Sequence, residues 1–366
     1  MKKGLDEQLL SQFFTSAVSA GLLIGLINLD QPYSNNWSFS YSVVMLVLVV
    51  IRSLFSEPLL YVNSSRFSLR RLSSVLCWTS VTSVCITFVL FVFSRDIHTF
   101  FLLIPSIVNA LQDFSRYSLL KIGLKMQLAK SDGFWLISAS LAFIIAKSIN
   151  QNYASIFFIC SWCILGMAST FYNIFHLKKL QGEFDKPSVQ RNALKLSLLA
   201  DKILPRLTSE AQYLVLNFFA PLFMTEYRIA NLLMGFTNIF VMSEIINFMR
   251  DNEPKTRFRQ TVLPIVCINL IISATLYLYS RNLILLCIIG LTIAVFVDLK
   301  VTKKISEYRK KGDEFIKKLI GIRLISCLLV LTGFYFTLQI SVAVYAVASA
   351  AMIGSFFSLI VLRFFK

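Results

Sequence analysis

WSFSYSVVMLVLVVIRSL, residues 37–54, decides the fold. Its centre, Val43 to Ile51, is an unbroken apolar run, and a single cation, Arg52, closes it. At a rise of about 1.5 Å per residue, a helix of this length covers roughly the hydrocarbon thickness of a bilayer. The run has none of the strict alternation that a membrane β-barrel strand requires. Working outward, eleven more stretches read the same way, giving twelve expected spans: 9–27, 37–54, 73–94, 100–120, 133–149, 153–175, 207–223, 229–248, 261–279, 282–298, 319–337 and 340–362. Composition agrees. Of the 366 residues 56% are hydrophobic and only 15% charged, against about 25% charged in a soluble domain. No water-soluble domain of this size hides that much apolar surface.

The cations supply a second test. With both termini in the cytoplasm, 32 of the 36 Lys and Arg fall on the inner side, and only Arg95, Lys147, Arg228 and Arg281 fall outside. A missed span would mix the two classes downstream, so the bias supports the count and the orientation. The formal net charge of +17 is therefore a topological signal and does not point to a nucleic-acid partner. Lys2 and Lys3 ahead of an apolar run ending in Ala17-Val18-Ser19-Ala20 have the outline of a signal peptide. Asp6 and Glu7 interrupt its positive region, and the charge pattern works when this segment stays as the first span.

A basic link divides the spans six and six: 1–175, a linker at 176–206, and 207–366. Six is even, so both halves enter the membrane in the same direction, as in a parallel repeat about the membrane normal. Glu57-Pro58 after span two and Glu253-Pro254 after span eight echo each other. The expected fold class is thus an all-α polytopic membrane protein of about twelve transmembrane helices in two parallel six-helix halves.

Polar groups in hydrocarbon are costly unless they face other helices or a wet cavity, so their helical phase carries information. Span one presents Gln8, Gln12, Thr15/Ser16 and Ser19; span four presents Ser106, Asn109, Asp113 and Arg116; span seven presents Arg206, Glu210, Tyr213 and Asn217. Span eight adds Asn231, Asn238 and Glu244 in looser register. As local structure, Asp113–Arg116 and Arg206–Glu210 are i,i+3 and i,i+4 ion pairs. As function, polar faces on spans one and seven, equivalent in the two halves, describe a central hydrophilic cavity. The substrate-binding set is then Gln12, Arg52, Asn109, Asp113, Arg116, Arg206, Glu210, Asn217 and Glu244, with Arg52, Arg116 and Arg206 suited to an anionic head group such as a phosphate.

Other chemistries find little support. There is no G-x-x-x-x-G-K-[ST] for ATP, and the two histidines, His98 and His176, lie at span edges, so a His-based catalytic or metal site is unsupported. Cys160-Ser161-Trp162-Cys163 matches C-x-x-C formally, but it lies mid-span, where Cys is a small packing residue. No cofactor is expected, and no catalytic residue.

Arg52 with Glu57-Pro58-Leu59-Leu60, then Gln112-Asp113-Phe114-Ser115-Arg116-Tyr117, then Ser131-Asp132-Gly133-Phe134-Trp135, resemble the corresponding strings of bacterial polysaccharide (Wzx-type) flippases of the multidrug/oligosaccharidyl-lipid/polysaccharide (MOP) superfamily. The resemblance is best over residues 8–140. It implies a protein of the bacterial cytoplasmic membrane that moves a polyprenyl-diphosphate-linked oligosaccharide outward by alternating access. It also implies H+ or Na+ coupling or use of the membrane potential, with neighbouring polysaccharide-assembly proteins as partners besides the lipid-linked sugar and the bilayer. Such proteins often have fourteen spans, against twelve here. Two rivals stand beside this reading: a multidrug or small-molecule antiporter, and a membrane polysaccharide polymerase or glycosyltransferase. Short outer loops argue against the enzyme. The segment Asn63 to Arg71 lacks the major-facilitator loop pattern G-x-x-x-D-x-x-G-R-[KR].

If Arg116 and Arg206 line the cavity, neutral substitutions at both abolish transport, as read at normal protein levels. Transport that persists in such a double variant removes them from the substrate path.

Overall fold

Every regular element among the described residues is helical, and the apolar surface is turned outward. The computed structural model describes residues 3–57, 59, 69–179 and 313–340, with single helical positions between 200 and 289. Two compact units divide the chain, Met1–Lys195 and Leu196–Lys366.

Among the described residues the first unit has six long helices: α1 (Lys3–Leu29), α2 (Ser34–Ile51), α3 (Leu69–Ser94), α4 (Leu103–Lys121), α5 (Lys125–Lys147) and α6 (Gln151–Lys179). Their ends follow from local chemistry. Pro32, which has no N–H, sits in the 3-10 turn Gln31–Tyr33 that separates α1 from α2. α3 stops at Arg95, whose φ of 51° is left-handed and whose N–H donates back to the Phe91 carbonyl. Pro105 falls in the first turn of α4, where a missing N–H costs nothing. Gly123, at φ 82°, closes α4, with its own N–H donating to the Leu120 carbonyl and that of Leu124 to the Leu119 carbonyl. A side chain there would strain the left-handed turn that ends the helix.

α2 does not end cleanly. Residues Arg52–Ser56 form a π-helical turn, closed by the Glu57 N–H donating to the Arg52 carbonyl at 2.8 Å. The expected fourth span is also divided, into a short turn His98–Phe101 and α4, with Leu102 between them. The fifth starts earlier than expected, at Lys125 instead of 133, which places Asp132 two turns inside a helix.

Two helices show the membrane directly. α3 buries Val75, Thr79, Ser83 and Thr87 and exposes Trp78, Val81, Val84, Phe88 and Val92. α5 buries Ser131, Asp132, Ala139 and Ala142 and exposes Phe134, Ile137, Leu141 and Ile144. Trp135 and Leu128 of α5 are buried as well, but the excess of small and polar residues inside and the row of large apolar residues outside suit helices packed within lipid. Five helical stretches of this unit are long and apolar enough to cross a membrane: Leu10–Leu29, Gln31–Ser56, Leu72–Ser94, Lys125–Lys147 and Tyr153–Lys178. α4 is too polar to join them, with Ser106, Asn109, Gln112, Asp113, Ser115 and Arg116 along it, and the other helices bury it almost completely from Pro105 to Leu120.

In the second unit, α7 (Asp313–Ile340) brackets the expected eleventh span. The expected spans seven to ten and twelve lie outside the described residues except at single positions, and so does residue range 180–199 of the linker.

Helix packing in the first unit depends on glycine at one crossing. A Cβ on Gly166 would stand 2.6 Å from Val108 Cγ1 and 2.7 Å from Trp135 Cζ2, and both neighbours are buried. Gly166→Ala is expected to cost about 1–3 kcal/mol through overpacking. Gly21, with nothing within 4 Å of its position, is the control. Thermal unfolding of purified protein should show a lowered Tm for the first substitution and none for the second.

Candidate functional site

α4 carries the chemistry. Its polar residues, read from the sequence as one face, are buried within the first unit and make their hydrogen bonds there. Asp132 of α5 is fully buried and gathers four donors. Oδ2 accepts from Ser11 Oγ (2.7 Å) and Thr15 Oγ1 (3.0 Å) of α1 and from Arg116 Nε (2.9 Å) of α4. Oδ1 accepts from Gln112 Nε2 (3.0 Å) of α4. Arg116 Nη2 also donates to Ser11 Oγ at 3.1 Å. Gln112 extends the network into α6. Its Nε2 donates to Ser169 Oγ at 2.9 Å, and its Oε1 accepts from Thr170 Oγ1 at 2.9 Å and Asn173 Nδ2 at 3.3 Å.

A second ion pair adjoins the first. Arg52 of the π turn clamps Asp113 with two bonds, Nε to Oδ2 at 3.1 Å and Nη2 to Oδ1 at 2.6 Å, and lies 5.8 Å from the Tyr117 ring centroid. Asp113 and Arg116, expected to pair along the helix, approach only to 3.9 Å, because each has a better partner on another helix. Exposure separates the two pairs. The Arg52 side chain is 26% exposed, whereas Asp113 and Arg116 are each at 2%.

The expected set of nine therefore divides. Arg52, Asp113 and Arg116 meet in one cluster. Asn109 is buried in α4, and its Nδ2 has no hydrogen-bond partner among the described residues. Gln12 is only half-buried; its neighbour Ser11 and Thr15, one turn on, face Asp132. Arg206, Asn217 and Glu244 lie outside the described residues. Glu210 is buried and pairs with Arg228, Nη2 to Oε2 at 3.1 Å. This corrects the placing of Arg228 in an outer loop: it is helical, buried, and stacked 3.3 Å from the Tyr213 ring centroid. A lone cation between apolar runs looks like a loop residue in sequence, but a carboxylate and an aromatic face hold this one inside.

Several members of the network had no prominence in the sequence. Asp132 appeared only within a family-like string, and Gln112, Ser169, Thr170 and Asn173 bore no charge pattern. The signal that could have found the last three is their spacing on one face of α6, at 169, 170 and 173.

At the opposite end of the unit, Asp96 between α3 and α4 accepts from the His98 backbone N–H (3.0 Å), the His98 ring and Ser40 Oγ. Burial works to raise the Asp96 pKa, but the hydrogen bonds from His98 outweigh it and hold the carboxyl below its ordinary range. Tyr33 and Trp37 pack on the His98 ring. Cys160 is exposed and Cys163 buried, both as free thiols.

No protein-family model matches the sequence, and no curated protein matches it. Solved structures do. A MATE in complex with MaL6 aligns over 99% of this chain and 95% of its own, with TM-score 0.59 at 9% identity. The eukaryotic MATE transporter AtDTX14 aligns over 100% and 95%, with TM-score 0.56 at 13% identity. A MOP superfamily transporter from Pyrococcus furiosus aligns over 98% and 92%, with TM-score 0.55 at 9% identity. The chain is thus an all-α polytopic membrane protein. Its fold is the one seen in these MATE structures.

Because Asp132 and Arg116 are buried together, removing one leaves the other charged and uncompensated. Asp132→Ala is expected to cost about 3–5 kcal/mol. The double variant Asp132→Leu with Arg116→Met should recover more than half of that in unfolding measurements, since replacing a whole buried pair is often close to neutral. Equal losses in the single and double variants would assign the stability to the remaining hydroxyl and amide contacts.

Proposed function

We propose that this protein is a transporter that moves a polyprenyl-diphosphate-linked oligosaccharide, an O-antigen, capsule or exopolysaccharide precursor, across the bacterial cytoplasmic membrane. On this reading it works by alternating access between two six-span halves, twelve spans in all, and draws on an ion gradient or the membrane potential in place of ATP. Its chain-long likeness to MATE-type structures supports a transporter over a polymerase or glycosyltransferase. The strings around Arg52, Asp113 and Asp132 that resemble Wzx-type flippases support the substrate class. Among the cations of the first unit's cluster, Arg52 is the one with a partly exposed side chain, and it is the residue assigned to the phosphoryl head.

The observation carrying this choice over drug antiport is exposure. Of the paired charges in this cluster the partly exposed one is a cation, Arg52, whereas the carboxylates of Asp113 and Asp132 are buried against arginines. The multidrug reading keeps its weight from the MATE neighbours themselves, so the experiment must separate the two.

Deletion of the gene is expected to leave lipid-linked oligosaccharide accumulating in the inner leaflet, with drug sensitivity unchanged. Raised drug sensitivity with normal glycan export would reverse the assignment.

A further inference from the structure

The three charges nearest Arg52 are arranged for an exchange of partners. Asp113 Oδ1 accepts from Arg52 Nη2 at 2.6 Å, while Arg116 Nη1 stands 3.9 Å from the same oxygen. Arg116 is held from its other side by Asp132 and Ser11. Arg52 has nothing comparable: its hydrogen bonds among the described residues are the two to Asp113. At rest the Asp113 carboxylate occupies the guanidinium fork of Arg52. An anion can gain it only by displacing a carboxylate.

We propose that a phosphoryl-bearing anion displaces Asp113 from Arg52, and that Asp113 then closes onto the waiting Nη1 of Arg116. Three features carry this. Arg52 has the exposure needed to meet a ligand, whereas Asp113 and Arg116 do not. A buried carboxylate stripped of its hydrogen-bonded cation is strongly destabilised, so release of Arg52 requires a second cation within about an ångström of bonding distance, which Arg116 provides. Arg52 also opens the π turn, where the backbone hydrogen bond spans five residues and the helix has local slack. The planar fork that now matches a carboxylate matches two phosphate oxygens equally well. Asp113 is thereby a built-in competitor that sets affinity, and Arg116 is a positioning residue that acts through it.

The ligand class rests on the flippase reading; the exchange itself rests on the geometry. The test is binding to the full-length purified protein, with inorganic pyrophosphate and farnesyl diphosphate as probes. Removing the competitor with Asp113→Asn should tighten binding about tenfold, and Arg52→Gln should weaken it about tenfold or more. Arg116→Lys keeps a cation beside Asp132 but withdraws the Nη1 that faces Asp113; it should weaken binding several-fold although Arg52 is intact. Thermal unfolding accompanies each variant, and where Asp113→Asn does not fold, the Arg116→Lys and Arg52→Gln arms carry the decision. Unchanged affinity in folded Arg116→Lys, or weaker affinity in folded Asp113→Asn, overturns the exchange. So does failure of the wild type to bind either probe. Binding of both probes alike assigns the site to a free phosphoryl group, and preference for farnesyl diphosphate assigns it to a lipid head. Expected affinities without lipid-linked sugar movement in vesicles would sink the flippase reading alone; movement with affinities indifferent to Arg52 and Asp113 would sink the exchange alone.

Discussion

The Asp132 carboxylate is the constraint around which the first unit is organised. A charge with no exposed surface in a membrane-embedded bundle survives only if its lone pairs are filled, and here four donors from α1 and α4 fill them. Once Gln112 and Arg116 are committed to it, the rotation of α4 about its own axis is fixed. That rotation sets Gln112 Oε1 against Thr170 and Asn173 of α6, Ser106 against Ser83 of α3, and Asp113 against Arg52 of the π turn that follows α2. Every other helix of the unit thus takes its register, directly or at one remove, from a single buried anion.

Apolar packing enforces the same geometry by other means. Lipid offers no hydrophobic drive between helices, so close approach must come from small residues and good contact. Gly25 lets the Phe158 ring lie against α1, and Gly166 lets Trp135 and Val108 lie against α6. Trp135 and Trp162 then stack with centroids 4.6 Å apart, and each indole N–H finds a backbone carbonyl, at Trp162 and Val18 respectively. The tryptophans satisfy their polar atoms inside the bundle, so they can be fully buried where a membrane-interface tryptophan would not be.

The helices of the first unit were legible because they rest on a one-dimensional signal, the length of an apolar run. Partners across helices were not. Spacing along one helix identifies Arg116 as the neighbour of Asp113, yet the structure gives Asp113 to Arg52 and Arg116 to Asp132, pairings 61 and 16 residues apart. In α1 the expected polar face includes Thr15, which reaches the Asp132 carboxylate, but the second hydroxyl there is that of Ser11, beside the expected Gln12. Arg228 shows the limit of counting cations, since a buried, paired arginine and a loop arginine contribute the same letter.

The two ion pairs of the first unit illustrate why similar chemistry need not have one role. Arg116–Asp132 is enclosed and supported by hydroxyls and an amide on both partners, so breaking it exposes no surface to anything that could take its place. Arg52–Asp113 is shorter at its closest contact, yet one partner is a quarter exposed, the backbone beneath it is π-helical, and a second cation stands beside the carboxylate. Bond length alone would rank the second pair as the stronger. What decides whether a pair is structural or exchangeable is the cost of the separated state, and the second pair has the lower cost because both of its members have somewhere to go.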